Sequence, residues 1–138
     1  MLAYHNGILY AIREFKQAGL SNDQLVTAVS TAITDKAIPT YVDPSAAAFI
    51  KELKRNGIAA RKANNKVSDG IIATSGLPAS GKLRISKDCP QLVKELLSYA
   101  WNKDTDKPLK KDDHLCDSLR YAVMGTVKTP TQYGVLRR

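Results

Sequence analysis

Cysteine is scarce in this chain of 138 residues: Cys89 and Cys116 are the only two. They lie far apart and neither belongs to a Cys-x-x-Cys, so neither has a partner at ligand spacing and a zinc site is not expected. Two reduced, partly buried thiols are expected instead. No apolar run approaches the length of a membrane span. The opening ten residues, MLAYHNGILY, lack a basic leader followed by an apolar block, so they do not read as a signal peptide and an intracellular location is expected. There is no GxxxxGK[ST] loop, which excludes an ATPase of that kind. No serine-glycine stretch has the form of a nucleophile elbow. Internal repeats and low-complexity tracts are also missing.

What is present describes one compact domain. Apolar residues make up 43% and charged residues 25%, enough for a core under an ordinary soluble surface. Twenty-one lysines and arginines against 13 acids give a net charge of +8. That balance favours partners bearing phosphate, although a basic surface also serves solubility alone.

Residues 2–5, the pair Asn6-Gly7 and residues 8–15 read as a β-hairpin, because Asn-Gly supplies the positive φ angles of a two-residue turn. Ser21 and Gln24 form a capping box that opens a helix to about Thr34. Residues 39–42 are a strand. Asp43-Pro44-Ser45 ends it and opens a helix with Phe49, Ile50 and Leu53 on its apolar stripe, terminated at Gly57. Residues 58–62 are a further strand, and 67–75 a helix weakened by Gly70. Residues 82–85 form a short strand and Pro90 opens a helix to about Tyr99. Residues 102–112 are a lysine-rich loop, and a last helix runs from about Asp113 to Met124. Strands interleaved with helices give an α/β or α+β domain.

Asp43 stands at the end of a strand, where α/β proteins often place functional groups. Asp before Pro is equally a good helix N-cap. In the run Asp113-His114-Leu-Cys-Asp117-Ser-Leu-Arg120-Tyr121, helical spacing puts Asp113, His114 and Asp117 on neighbouring positions of one face. Two carboxylates one turn apart repel unless a cation lies between them, and hard oxygen ligands suit magnesium or manganese. The alternative is that Asp112 or Asp113 caps the helix while Asp117 pairs with Arg120. Glu14 reads as a surface residue. Lys51, Lys54, Arg55, Arg61, Lys62 and Lys66 form one basic neighbourhood, and Lys103, Lys107, Lys110 and Lys111 another. Each could lie on DNA phosphates or be a solvated face.

Taken together, Val42-Asp43-Pro44-Ser45-Ala46-Ala47-Ala48-Phe49-Ile50, then Lys62-Ala63-Asn64-Asn65, Asp69-Gly70-Ile71, Tyr99-Ala100-Trp101, and Asp113-His114 through Asp117 to Arg120-Tyr121-Ala122 resemble the nuclease domain of phage terminase large subunits, in order as well as wording. The resemblance covers roughly residues 1–125, leaving 126–138 as a loose tail. It implies a ribonuclease H-like mixed sheet flanked by helices. It implies a two-metal Mg2+ or Mn2+ endonuclease, cutting concatemeric double-stranded viral DNA during packaging in the host cytoplasm. Small terminase subunit and portal are the implied protein partners, with no membrane. Asp43, Asp117 and His114 become the catalytic candidates and Asp43, Asp117 and Asp113 the metal ligands. Lys62, Lys66, Lys110, Lys111 and Arg120 become the DNA contacts. A non-catalytic DNA-binding or packaging-interaction module is the alternative.

The same resemblance equates residues 2–15 with the family's second and third strands. The family's central first strand, with its aspartate, and the ATPase domain are then expected to be missing from the N-terminal side. One metal ligand would be absent and cleavage weak or undetectable. The hairpin is expected to close directly onto the strand ending at Asp43, and exposed edges leave homo-oligomerisation open.

Overall fold

The computed structural model of the chain describes residues 1–99, 101–102, 107–108 and 113–127. The hairpin forms as its turn dictates. Strands β1 (Leu2–His5) and β2 (Ile8–Ala11) pair antiparallel, from Leu2 opposite Ala11 to His5 opposite Ile8. Asn6 and Gly7 take φ of 49° and 79° between them. The second strand ends at Ala11, short of the expected residue 15. Bonds to Met1 carry on just past it, from the Ile12 amide to the Met1 carbonyl and from the Met1 ammonium to the Arg13 carbonyl, but Ile12 and Phe15 are exposed.

The capping box is realised. The Gln24 amide donates to Ser21 Oγ, and the Ser21 amide donates to Gln24 Oε1, opening α1 (Asn22–Ala32). Strand β3 (Thr40–Val42) follows, then α2 (Ala47–Arg55), which Gly57 ends with a φ of 78°. Pro44 does not open this helix. It lies in a turn before it, where the Ala46 amide donates to the Asp43 carbonyl. Strand β4 (Ala60–Lys62) runs parallel to β3, with Val42 opposite Lys62.

Helix α3 (Val67–Ala79) runs four residues past the expected end. Gly70 within it is a packing requirement, because a Cβ there would overlap the Arg120 side chain. Strand β5 (Leu83–Ile85) joins β2 in parallel, and α4 (Pro90–Ser98) starts at its proline. Strands β6 (Trp101–Asn102) and β7 (Lys107–Pro108) form a two-rung antiparallel ladder, all but Trp101 within the segment 102–112 that reads from sequence as loop. Helix α5 (His114–Val127) ends the described chain.

The result is an α/β fold with mixed strand pairing flanked by helices. Apart from the small β6–β7 ladder, the described strands lie in two separate groups, β1-β2-β5 and β3-β4. The hairpin therefore does not close onto β3, contrary to expectation. Each group has its own core. Leu9, Ala11 and Leu83 pack with Leu92, Leu115, Leu119 and Val123. Val26, Ile50, Leu53, Ile58 and Ala60 form the other cluster. Helix α5 joins them: its apolar face lies in the first cluster, while Gly125 meets the ring of Tyr41 on β3 so closely that a Cβ would overlap it. The hairpin's second strand already has both edges taken, by β1 and by β5, which leaves it no edge for β3. Among the described residues no helix is long and apolar enough to cross a membrane.

Candidate active site

Helix α5 also brings the chemistry together. A cleft of about 390 Å3 opens between it, the end of β3 and the start of α2. Asp43, His114 and Asp117 all line it, with Phe49, Ser118 and Tyr121. Asp43 arrives there because it follows the last residue of β3. His114, Asp117, Ser118 and Tyr121 arrive because they share one face of α5.

Asp43 does not cap α2, whose N-cap position is Ala46. Its Oδ1 accepts from the Ser45 amide at 2.8 Å and from Ser45 Oγ at 2.6 Å, an Asx-type turn. Its Oδ2 accepts from the Tyr121 hydroxyl at 2.5 Å. The Ser45 hydroxyl, then Tyr121, then the Ser45 amide hold the Asp43 carboxyl below its ordinary value against the smaller opposing effect of burial. Burial first, and the bond to Asp43 second, push the Tyr121 hydroxyl up to about 12, so it stays a donor at neutral pH. Tyr121 is not among the site residues that the sequence assigns. Its position four residues after Asp117 is the available signal.

Asp117 pairs with Arg120: Nη2 donates to Oδ1 at 2.8 Å. Arg120, expected on DNA, is instead buried at 4% exposure. It lies against Gly70 and over the Tyr121 ring, 4.8 Å from its centroid, and its Nε and Nη1 have no hydrogen-bond partner. In this position the guanidinium is paired with Asp117 inside the α3–α5 seam rather than displayed on the surface. Asp113 sits at the start of α5, where its carbonyl accepts from the Asp117 amide, and it does not line the cleft. Lys62 and Lys66 are exposed, and Lys62 stands in register with Val42, the residue before Asp43. Lys110 and Lys111 lie outside the described residues.

Two further carboxylates work at helix ends. Glu14, read from sequence as a surface residue, accepts from the Gln91 and Leu92 amides and so caps α4 from a point 77 residues earlier. Glu95 is buried at 4% exposure and accepts from the Leu115 and Cys116 amides at the start of α5; of the two residues that sequence offers as an alternative cap there, Asp112 lies outside the described residues. Burial, with Glu95 next, pushes the Cys116 thiol up to about 12, and both cysteines are free and buried. A second cavity, about 420 Å3 between α3, α4 and β5, is lined mainly by apolar side chains and contains neither Asp43 nor Asp117.

Among the described residues no group of three or more His, Cys, Asp or Glu is arranged to hold a metal. The donors in the cleft are nevertheless of the right kind for one hard divalent cation. Magnesium commonly keeps several waters and takes only one or two carboxylates from a protein. Asp43 and Asp117 fit that demand, whereas a second ion finds no further carboxylate in the described cleft.

No family model matches the chain. The large subunit of the terminase of Escherichia phage T5 is 28% identical over 130 residues, spanning 87% of this chain and 30% of that protein. The large terminase of a thermophilic bacteriophage, solved with ATP-gamma-S, is 30% identical with a TM-score of 0.82, over 88% of this chain and 34% of that one. The nuclease domain of the P22 large terminase shares the fold, with a TM-score of 0.72 at 20% identity, over 87% of this chain and 68% of that domain. The chain thus spans about a third of the length of the T5 and thermophilic-phage proteins.

Proposed function

The chain is homologous in sequence and structure to phage terminase large subunits, with the ribonuclease H-like fold of their nuclease domain, and from that premise we propose that it is a metal-dependent DNA endonuclease module. Its role would be to cut concatemeric viral DNA during packaging, in company with the small terminase subunit and the portal. The observation that carries the reading is the meeting of Asp43 and Asp117 in one cleft, from a strand end and a helix 74 residues apart in sequence.

Asp43 and Asp117 would hold the cation. Bound there, Mg2+ or Mn2+ would supply activation of water and charge stabilisation at a phosphodiester. The chain's own residues prepare the place. Ser45 and Tyr121 fix the Asp43 carboxylate and keep it ionised. Arg120 fixes the Asp117 carboxylate. His114, at the cleft wall, can orient a ligand or stabilise charge. Asp113 is the less favoured ligand, since it stands outside the cleft. Lys62 and Lys66 offer cations to phosphates beside β3.

Two carboxylates make a sparse site, so cleavage by this chain alone is expected to be slow. With supercoiled plasmid and Mn2+, slow nicking should appear, stop with a chelator, and disappear in Asp43→Asn and in Asp117→Asn. Nicking that survives both substitutions would place the chemistry elsewhere.

A further inference from the structure

The cleft depends on where α5 begins, and that is decided by a residue outside it. The first amides of a helix have no acceptor within the helix. At α5 the Leu115 and Cys116 amides donate to Glu95 Oε2, at 2.7 and 3.1 Å. Glu95 Oε1 accepts from Lys16 Nζ at 2.7 Å. A carboxylate is rarely buried without such partners, because its desolvation must be offset. Here one side chain of α4 grips the first turn of α5 from the protein interior. Leu115 and Cys116 are buried on that side, while His114 and Asp117, their immediate neighbours, look into the cleft.

We infer that Glu95 is the positioning residue of this site: through the Leu115 and Cys116 amides it sets the rotation and height of the first turn of α5, and with them the placement of His114 and Asp117 against Asp43. Glu14 is the natural comparison. It makes the same kind of cap at α4, with bonds of 2.9 and 2.8 Å, but no residue of α4 lines the cleft and Glu14 touches no residue of α5 that does. A cap that only stabilises should behave alike in both places. A cap that positions the site should not.

The inference rests on the cleft reading above, and the test separates the two. Glu95→Gln and Glu14→Gln are compared in the full chain, below the melting temperature of each. Both should melt earlier. Glu95→Gln alone should weaken Mn2+ binding, on the order of fivefold or more, while Glu14→Gln leaves it within twofold; a distortion worth about 1 kcal/mol produces the former. Should Glu95→Gln not fold, Glu95→Asp stands in: it keeps the carboxylate but shortens its reach to both amides, and a loss of at least twofold is expected. A metal-free arm reads the backbone amide spectrum, in which Glu95→Gln should shift Asp117, Ser118 and Tyr121 and Glu14→Gln should not. If both caps change stability alone, with those amides unmoved, the inference is wrong. If the amides move as expected but Mn2+ binds Asp117→Asn as well as it binds the unaltered chain, Glu95 positions the turn and the cation reading is what fails.

Discussion

Asp43 shows how a local motif and a distant residue combine at one carboxylate. Its donors are two residues away, at Ser45, and 78 residues away, at Tyr121. Both favour the ionised form, so the folded-state pKa lies below that of the unfolded chain. The stabilisation from this site is therefore fully present above the ordinary Asp value of about 4 and is lost as pH falls through the lowered value. Asp43→Asn should lower the melting temperature by a constant amount between about pH 6 and 8, and the difference should shrink below about pH 4. A difference that persists undiminished at about pH 3 would mean that the ionised carboxylate contributes nothing. Half of this arrangement is legible in the sequence, because Asp-x-Ser turns are local. The Tyr121 half is not, since only tertiary packing decides which residue meets a strand end.

At the scale of elements, legibility follows the same division. Asn6-Gly7, the Ser21–Gln24 box, Gly57 and Pro90 mark element ends through their own backbones, and the structure uses all four. Glu14 and Glu95 mark helix starts from remote positions, and nothing near Gln91 or Leu115 announces them. Gly70 misleads in the opposite direction. By propensity it weakens a helix, yet α3 runs through it because the α3–α5 seam needs room for Arg120. Replacing glycine by alanine inside a helix ordinarily gains about 1 kcal/mol. Here Gly70→Ala should instead destabilise by about 1–3 kcal/mol, the cost of overpacking, as denaturant unfolding would measure. A gain in stability would show that Arg120 can give way.

At the scale of the whole molecule, two strand groups share one helix, and the candidate site lies where that helix meets the second group. The sequence pattern carries the α/β class but not this division, because pairing between strands distant in sequence leaves no local signal in the chain. The charge of +8 belongs to this scale as well, with exposed lysines and arginines on α2 and β4. DNA binding through phosphates should be largely independent of sequence and should fall steeply with salt. Replacing both Lys62 and Lys66 by glutamine should reduce the salt slope by about 2. Binding that ignores salt would exclude a mainly electrostatic mode.

The central claim is that Asp43 and Asp117 form one cation site, and thermal melting with and without Mn2+ tests it most directly. A ligand that binds only the folded chain raises its melting temperature, by an amount set by concentration over Kd. The account predicts a rise with Mn2+ in the unaltered chain and a much smaller rise in both Asp43→Asn and Asp117→Asn. No rise in the unaltered chain, or an equal rise in all three, would contradict it.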